Sequence, residues 1–171
     1  MALTLSEPRI VRRDPFTVAG VWAPYQGKDE SPGWRAADAG FRALLPEVVH
    51  RADDMVLGFL YCPHQDDPSV DADVTACFIG VAVTSLDEQP AGLTTTRFPG
   101  GVYVLVDCIG DTDGDAAAGV GEAIGMLMDW IPAHGYRYRE GDVIFSAGSE
   151  TAPKPPWIET VHIRLEPLDE P

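Results

Sequence analysis

Residues 97–110 read RFPGGVYVLVDCIG: a turn, an apolar strand pattern carrying one aromatic, then a glycine. The chain has used this wording once already. Residues 13–27, RDPFTVAGVWAPYQG, give an arginine, a proline, an apolar run with an aromatic and a closing glycine. Gly27 and Gly110 stand close to half a chain length apart in a chain of 171 residues. The later stretch therefore reads as the first strand of a second copy, and the elements that come after each copy decide the fold.

Around the first copy, 9–22 reads as one strand. Val18, Gly20 and Trp22 share one face, and Thr17, Ala19 and Val21 share the other. The segment 26–33, QGKDESPG, is loop by composition. A helix is expected over 34–50, where Trp34, Ala37, Phe41, Leu44, Leu45 and Val48 form one stripe. Pro46 sits inside it as a point of kinking or early termination. Strands at 55–61 and 74–84 come next, separated by the turn-rich CPHQDDPSVDAD. LDEQPAG, at 86–92, is a polar midpoint.

The second half repeats this order. A strand pair or one bent strand covers 93–108, broken at Pro99-Gly100-Gly101, and the acidic DTDGD comes after it. A helix is expected over 115–130, with Val120, Ala123, Ile124, Leu127 and Ile131 as its apolar stripe. Asp115 favours the dipole at its start, and Pro132 ends it. Two more strands are expected at 136–147 and 157–165, joined by GSETAPKPP. The result is one domain over 1–171, built from two strand–helix–strand–strand repeats at about 8–85 and 92–167. This order implies an α+β fold, with a curved antiparallel sheet carrying both helices on one face. Two pseudo-symmetric repeats leave a groove where they meet, and such junctions commonly hold small molecules.

Composition narrows the partners. Hydrophobic content of 45% and charged content of 23% are those of an ordinary folded domain. A net charge of −15 repels phosphate backbones, so no direct nucleic-acid partner is expected. The one basic cluster, Arg9, Arg12 and Arg13, reads as a solvated strand edge. The start, MALTLSEPRIVRRD, lacks the apolar core of a signal peptide. No apolar run approaches the roughly 18 residues of a membrane span, so no membrane partner is expected. Cys62, Cys77 and Cys108 are an odd count without a secretory signal, which points to reduced thiols in a cytoplasm.

No metal or cofactor signature stands in the sequence. Asp66, Asp67, Asp71 and Asp73 lack calcium-loop spacing, and in DTDGD the glycine falls fourth rather than sixth. Cys62-x-His64 has no second pair to complete a zinc site. There is no GxSxG elbow, and Gly119-Val120-Gly121 lies inside a helix pattern. Aromatics are the best candidates: Trp22, Tyr61, Phe78, Tyr103, Trp130, Phe145 and Trp157 fall on strands or a helix end in both halves. Flat rings line pockets for apolar ligands, although cores share that composition. Asp107 has the strand parity of Tyr103 and could present a charge to the groove; its place near the strand end also fits a solvated carboxylate.

With these elements in order, the wording of the chain resembles the gyrase-inhibitor-like family. That domain also forms the effector-binding half of many AraC-type and MerR-type transcription regulators. The resemblance is carried by FTVAGVWAPYQG, FLYCPHQDDPSVDADVTACFIGVAV, PAGLTTTRFPGGVYVLVDCIG, MDWIPAHGYRY and IETVHIRL, over nearly the whole chain. It implies binding of hydrophobic, often cationic or aromatic compounds in a cleft between the repeats, with Tyr103 at the family's pocket tyrosine. Some standalone members resemble hydrolases that open electrophilic toxins with paired glutamates. The chain departs from the pattern in DVIFSAG, where Ile144 stands for a glutamate and Ser146 for an aromatic, and at Arg164, where relatives carry proline. A shifted alignment would bring Glu140 into that place.

Three functions are expected. The first is a standalone protein that binds a hydrophobic or aromatic compound, because the strand at 9–22 leaves no room before it for a helix–turn–helix. It would sequester the compound or report it to a protein partner. The second is a hydrolase of electrophilic small molecules in the same cleft, drawing on Glu140, Asp107 or Glu159; no catalytic residue is assigned. The third is an acidic inhibitor of a basic partner such as a topoisomerase.

Overall fold

The computed structural model describes residues 3–25, 31–151 and 154–168. Residues 26–30 of the first expected loop and 152–153 of the last lie outside the described residues. In chain order the strands are β1 (Thr4–Leu5), β2 (Arg9–Arg13), β3 (Phe16–Pro24), β4 (Arg51–Tyr61), β5 (Ala76–Val83), β6 (Thr94–Phe98), β7 (Gly101–Gly110), β8 (Tyr136–Arg137), β9 (Phe145–Ser149) and β10 (Trp157–Pro167). Helix α1 is Ser31–Leu44 and helix α2 is Asp113–Ala133. The strands pair antiparallel, β3 with β5 and β7 with β10 among them, and strands with helices laid against them give the expected α+β class. The chain divides into two compact units: Pro15–Pro99, and Met1–Asp14 with Gly100–Pro171.

In the unit Pro15–Pro99 the strand order is β4-β5-β3-β6. Alternation assigns the faces. Ala19, Val81 and Val83 face α1 and pack with Phe41 and Val48, with Val21, Val56 and Ile79 against them. Val18, Gly20 and Trp22 face the other way, paired with Ala82, Gly80 and Phe78. Helix α1 is shorter than the stripe implies and ends at Leu44. A single 3-10 turn, Leu45–Glu47, carries Pro46, whose ring cannot supply the next helical N–H. Val48 is still buried beyond it.

In the other unit β7 pairs with β1, β2 and β10, and β10 pairs with β8 and β9. Val104, Val106, Cys108, Val161, Ile163 and Leu165 face α2 and pack with Ala123, Leu127 and Ile131. Tyr103, Leu105 and Asp107 have the opposite parity, as do Thr160, His162 and Arg164 across the ladder. Helix α2 starts earlier than expected because Thr112 and Asp115 form a capping box. Pro132 does not stop it. The helix runs one residue further, to Ala133, and closes at Gly135, whose φ of 81° suits the left-handed position after a helix end.

Two expected strands are each divided. The stretch 9–22 breaks at Asp14-Pro15, where the proline has no N–H for a ladder, so β2 joins β7 while β3 joins β5 and β6. The stretch 136–147 yields only β8 and the start of β9. Between them Gly141 takes a φ of 91°, and the Tyr138 hydroxyl donates to the Asp142 carbonyl at 2.7 Å, closing a turn. No helix among the described residues is long and apolar enough to cross a membrane.

Candidate functional site

On the face of Pro15–Pro99 that α1 does not cover, the strands bring six rings together. Phe78 on β5 lies opposite Trp22 on β3 and Phe59 on β4. Phe59 stacks on Phe78 with centroids 4.6 Å apart, and Tyr61 meets Phe78 edge-on at 5.2 Å. Trp22 lies 6.4 Å from Tyr61. Phe98 on β6 meets Phe59 edge-on at 5.0 Å and stacks on Phe16 at 4.9 Å. Glycines make room for this cluster. A Cβ at Gly20 would strike the Ile79 carbonyl oxygen, and one at Gly80 would come within 2.9 Å of the Phe78 ring. The Tyr61 hydroxyl donates to Asp66 at 2.9 Å. Burial first, then this carboxylate, pushes the Tyr61 phenol well above its ordinary range, so it stays protonated.

The matching face of the other unit is both aromatic and polar. Tyr103 is 1% exposed and meets Phe145 of β9 at 6.1 Å. Phe145 stacks on His162 of β10 at 4.4 Å, and the Arg13 guanidinium lies 5.9 Å from the Phe145 centroid. Asp107 accepts two hydrogen bonds from Arg9, at 2.7 and 2.9 Å, and one from the Thr160 hydroxyl at 2.7 Å. Burial works to raise the Asp107 carboxyl, but these hydrogen bonds outweigh it and hold the group below the usual carboxylate range. Arg164 donates to Asp142 at 3.0 Å. Burial raises the Tyr103 phenol, against the pull of Arg164 and Arg13.

Of the residues singled out from sequence, Trp22, Tyr61 and Phe78 therefore meet in one unit, and Tyr103, Asp107 and Phe145 share a face in the other. Trp130 lies on α2, packed against the core and stacked on His134 at 3.9 Å. Trp157 opens β10 on the parity of Glu159 and Val161, the side that α2 covers, with Lys154 Nζ 3.6 Å from its ring centroid. The three carboxylates weighed for hydrolysis do not converge. Glu159 sits opposite Cys108 and Gly148, on the face away from Asp107, and burial pushes its carboxyl up to about 6. Glu140 is exposed in the turn after β8. Ile144 packs toward the α2 core, so β9 presents Phe145 and Ala147 beside Tyr103, and neither carries a charge. Among the described residues no cluster of histidine, cysteine and carboxylate side chains could hold a metal.

Sequence reasoning passed over Phe16, Phe59, Phe98 and His162. Their strand parity was readable. Phe16 alternates with Val18 and Trp22, and His162 falls between the core residues Val161 and Ile163. That Phe59 and Phe98 meet depends on the pairing of distant strands.

Known structures share this architecture. SAV2435 bound to tetraphenylphosphonium is 9% identical, with a TM-score of 0.64, over 94% of this chain and 94% of that one. The EcmrR C-terminal domain is 13% identical, with a TM-score of 0.54, over 97% of this chain and 96% of its own. A hydrolase from Listeria innocua is 11% identical, with a TM-score of 0.56, over 94% of this chain and 92% of that one. At these identities the likeness is one of fold. No curated protein matches the sequence. The sequence does match the GyrI-like small molecule binding domain over residues 6–164, nearly its full length. With the helices, the antiparallel strands and this match in agreement, the chain belongs to the GyrI-like family of small-molecule-binding domains.

Proposed function

We propose that the protein binds a hydrophobic or aromatic small molecule, with Trp22, Tyr61 and Phe78 of the unit Pro15–Pro99 as its principal contacts, while Tyr103, Asp107 and Phe145 offer a second candidate face within the other unit. The observation that carries this reading is the cluster of rings on the strand face that α1 leaves uncovered, with Gly20 and Gly80 making room for Phe78. Rings in such number offer apolar area at little conformational cost, and the Tyr61 hydroxyl oxygen, its proton directed to Asp66, can accept a hydrogen bond from a ligand. A relative of the same fold holds tetraphenylphosphonium, a hydrophobic cation. Family membership supports the small-molecule partner directly. In the cell the protein would sequester its compound or signal its presence to a protein partner; three free thiols suit a reducing cytoplasm.

The binding reading is preferred to the hydrolase reading because Asp107 and Glu159 lie on opposite faces of their strands and Asp107 is already held by Arg9 and Thr160. Thermal denaturation against a panel of aromatic and apolar compounds tests it. A true ligand at about 100 times its Kd adds roughly 2.7 kcal/mol of stability. Trp22→Ala should weaken that ligand by about tenfold or more, as loss of a buried aromatic anchor does. If no compound in the panel raises the melting temperature, the reading is wrong.

A further inference from the structure

The face formed by Tyr103, Phe145 and His162 carries a buried imidazole whose hydrogen bonding the described residues leave incomplete. His162 is 2% exposed, and among the described residues neither ring nitrogen has a hydrogen-bond partner. Buried polar atoms in folded proteins are almost always satisfied, by protein, by ordered water or by a ligand. Its neighbours on the face are otherwise engaged. The Thr160 hydroxyl donates to Asp107, and Asp107 takes both Arg9 nitrogens. Asp142 is held by Arg164 at 3.0 Å, and Glu166 lies 3.7 Å from the same guanidinium. Across the ladder β9 presents Phe145 and Ala147, so the strand beside His162 adds no negative charge.

The surroundings also fix the protonation of the imidazole. Burial, together with Arg13 and Arg9, brings its pKa down to about 3 against the pull of Asp107. It is neutral at pH 7 and offers one N–H donor and one acceptor nitrogen. An oxyanion placed there would gain that N–H and the field of the Arg13 guanidinium, the charge of Arg9 being offset by Asp107, while a cation would meet the same field unfavourably.

We propose that this face selects an aromatic carboxylate, its ring among Tyr103 and Phe145 and its carboxylate oxygen accepting from the His162 N–H, in preference to a cation of the same shape. The inference rests on the reading of the protein as a binder of aromatic compounds and names the class of compound.

Calorimetric titration of the full chain at about pH 7.5 decides it. The probes are naphthalene-2-carboxylate, 2-naphthyltrimethylammonium and uncharged 2-methylnaphthalene. The carboxylate should bind about tenfold more tightly than the ammonium compound, the scale of one charge-assisted hydrogen bond. His162→Phe keeps a ring to stack on Phe145; it should lower carboxylate affinity about tenfold and leave 2-methylnaphthalene within roughly twofold. In the unmodified protein, the imidazole ¹⁵N resonances should move when naphthalene-2-carboxylate is added. Tighter or equal binding of the ammonium compound, unchanged affinity in H162F, or still resonances would overturn this proposal. In those cases binding of 2-methylnaphthalene would leave the broader reading intact. Binding of none of the three would overturn both.

Discussion

His162 ties folding to pH. In the unfolded chain an imidazole titrates near 6.5, whereas in the folded protein burial with Arg13 and Arg9 lowers it to about 3. A depressed folded-state pKa means the native state resists the proton that the unfolded state accepts. The contribution is complete above pH 6.5 and is withdrawn as pH falls toward 3. At about pH 5 the loss amounts to roughly 2 kcal/mol, since each pKa unit is worth 1.36 kcal/mol. Plotting melting temperature against pH should show a steeper acid limb for the native chain than for H162F between those limits; coincident limbs would refute it. Asp107 adds to the same limb, because its folded pKa is also depressed, but H162F leaves its bonds to Arg9 and Thr160 untouched.

Strand pairing turns a list of aromatics into a cluster, and glycine sets how closely the rings approach. At the crossing of β3 and β5, Gly20 faces Gly80, and a Cβ on Gly20 would lie 2.5 Å from Phe78 Cε1 as well as against the Ile79 carbonyl. The backbone oxygen cannot swing aside as a side chain can. Gly20→Ala is therefore expected to destabilise by about 1–3 kcal/mol or more, as overpacking does, and to displace Phe78 from Tyr61. Urea denaturation with an unchanged m-value and a lowered midpoint would show it; an unaltered midpoint would mean that the strands can part at no cost.

Alternation made much of this element scale legible. The faces of β3, β7 and β10 come from their period of two, and the stripe Val120–Leu127 places α2 on the right side of its strands. Alternation assigns a face but not a neighbour. Phe98 reaches Phe59 only because β6 adds to β3 and β4 to β5, and those pairings join segments far apart in sequence. The breaks at Asp14-Pro15 and around Gly141 carry turn signals of their own, Arg-Asp-Pro and Glu-Gly-Asp, and a strand pattern read across the longer stretch overrides them. Pro132 misled in the other direction. A proline rule applied to the sequence ends the helix at 130, three residues before its observed end at Ala133, while the closing geometry belongs to Gly135.

For the whole molecule the dominant electrostatic fact is a net charge of −15. Self-repulsion of this size disfavours the compact state, and salt screens it. Raising sodium chloride from about 10 to about 150 mM should increase the melting temperature by roughly 2–4 °C, the shift that about 1 kcal/mol produces in a protein of this length. A fall instead would mean that local pairs such as Arg9–Asp107 and Arg164–Asp142 outweigh the general repulsion.

The division of the chain bears on its synthesis. Pro15–Pro99 is continuous and interrupts the other unit, whose first piece ends at Asp14. On the ribosome β2 emerges early, yet its ladder partner β7 is translated only after the whole interruption. The nascent segment RIVRR must wait as an open edge while β3 through β6 already have one another. Its three arginines place charge on that waiting edge, a known defence against pairing with the wrong chain. In the folded protein the same cluster supplies Arg9 to the ion pair with Asp107.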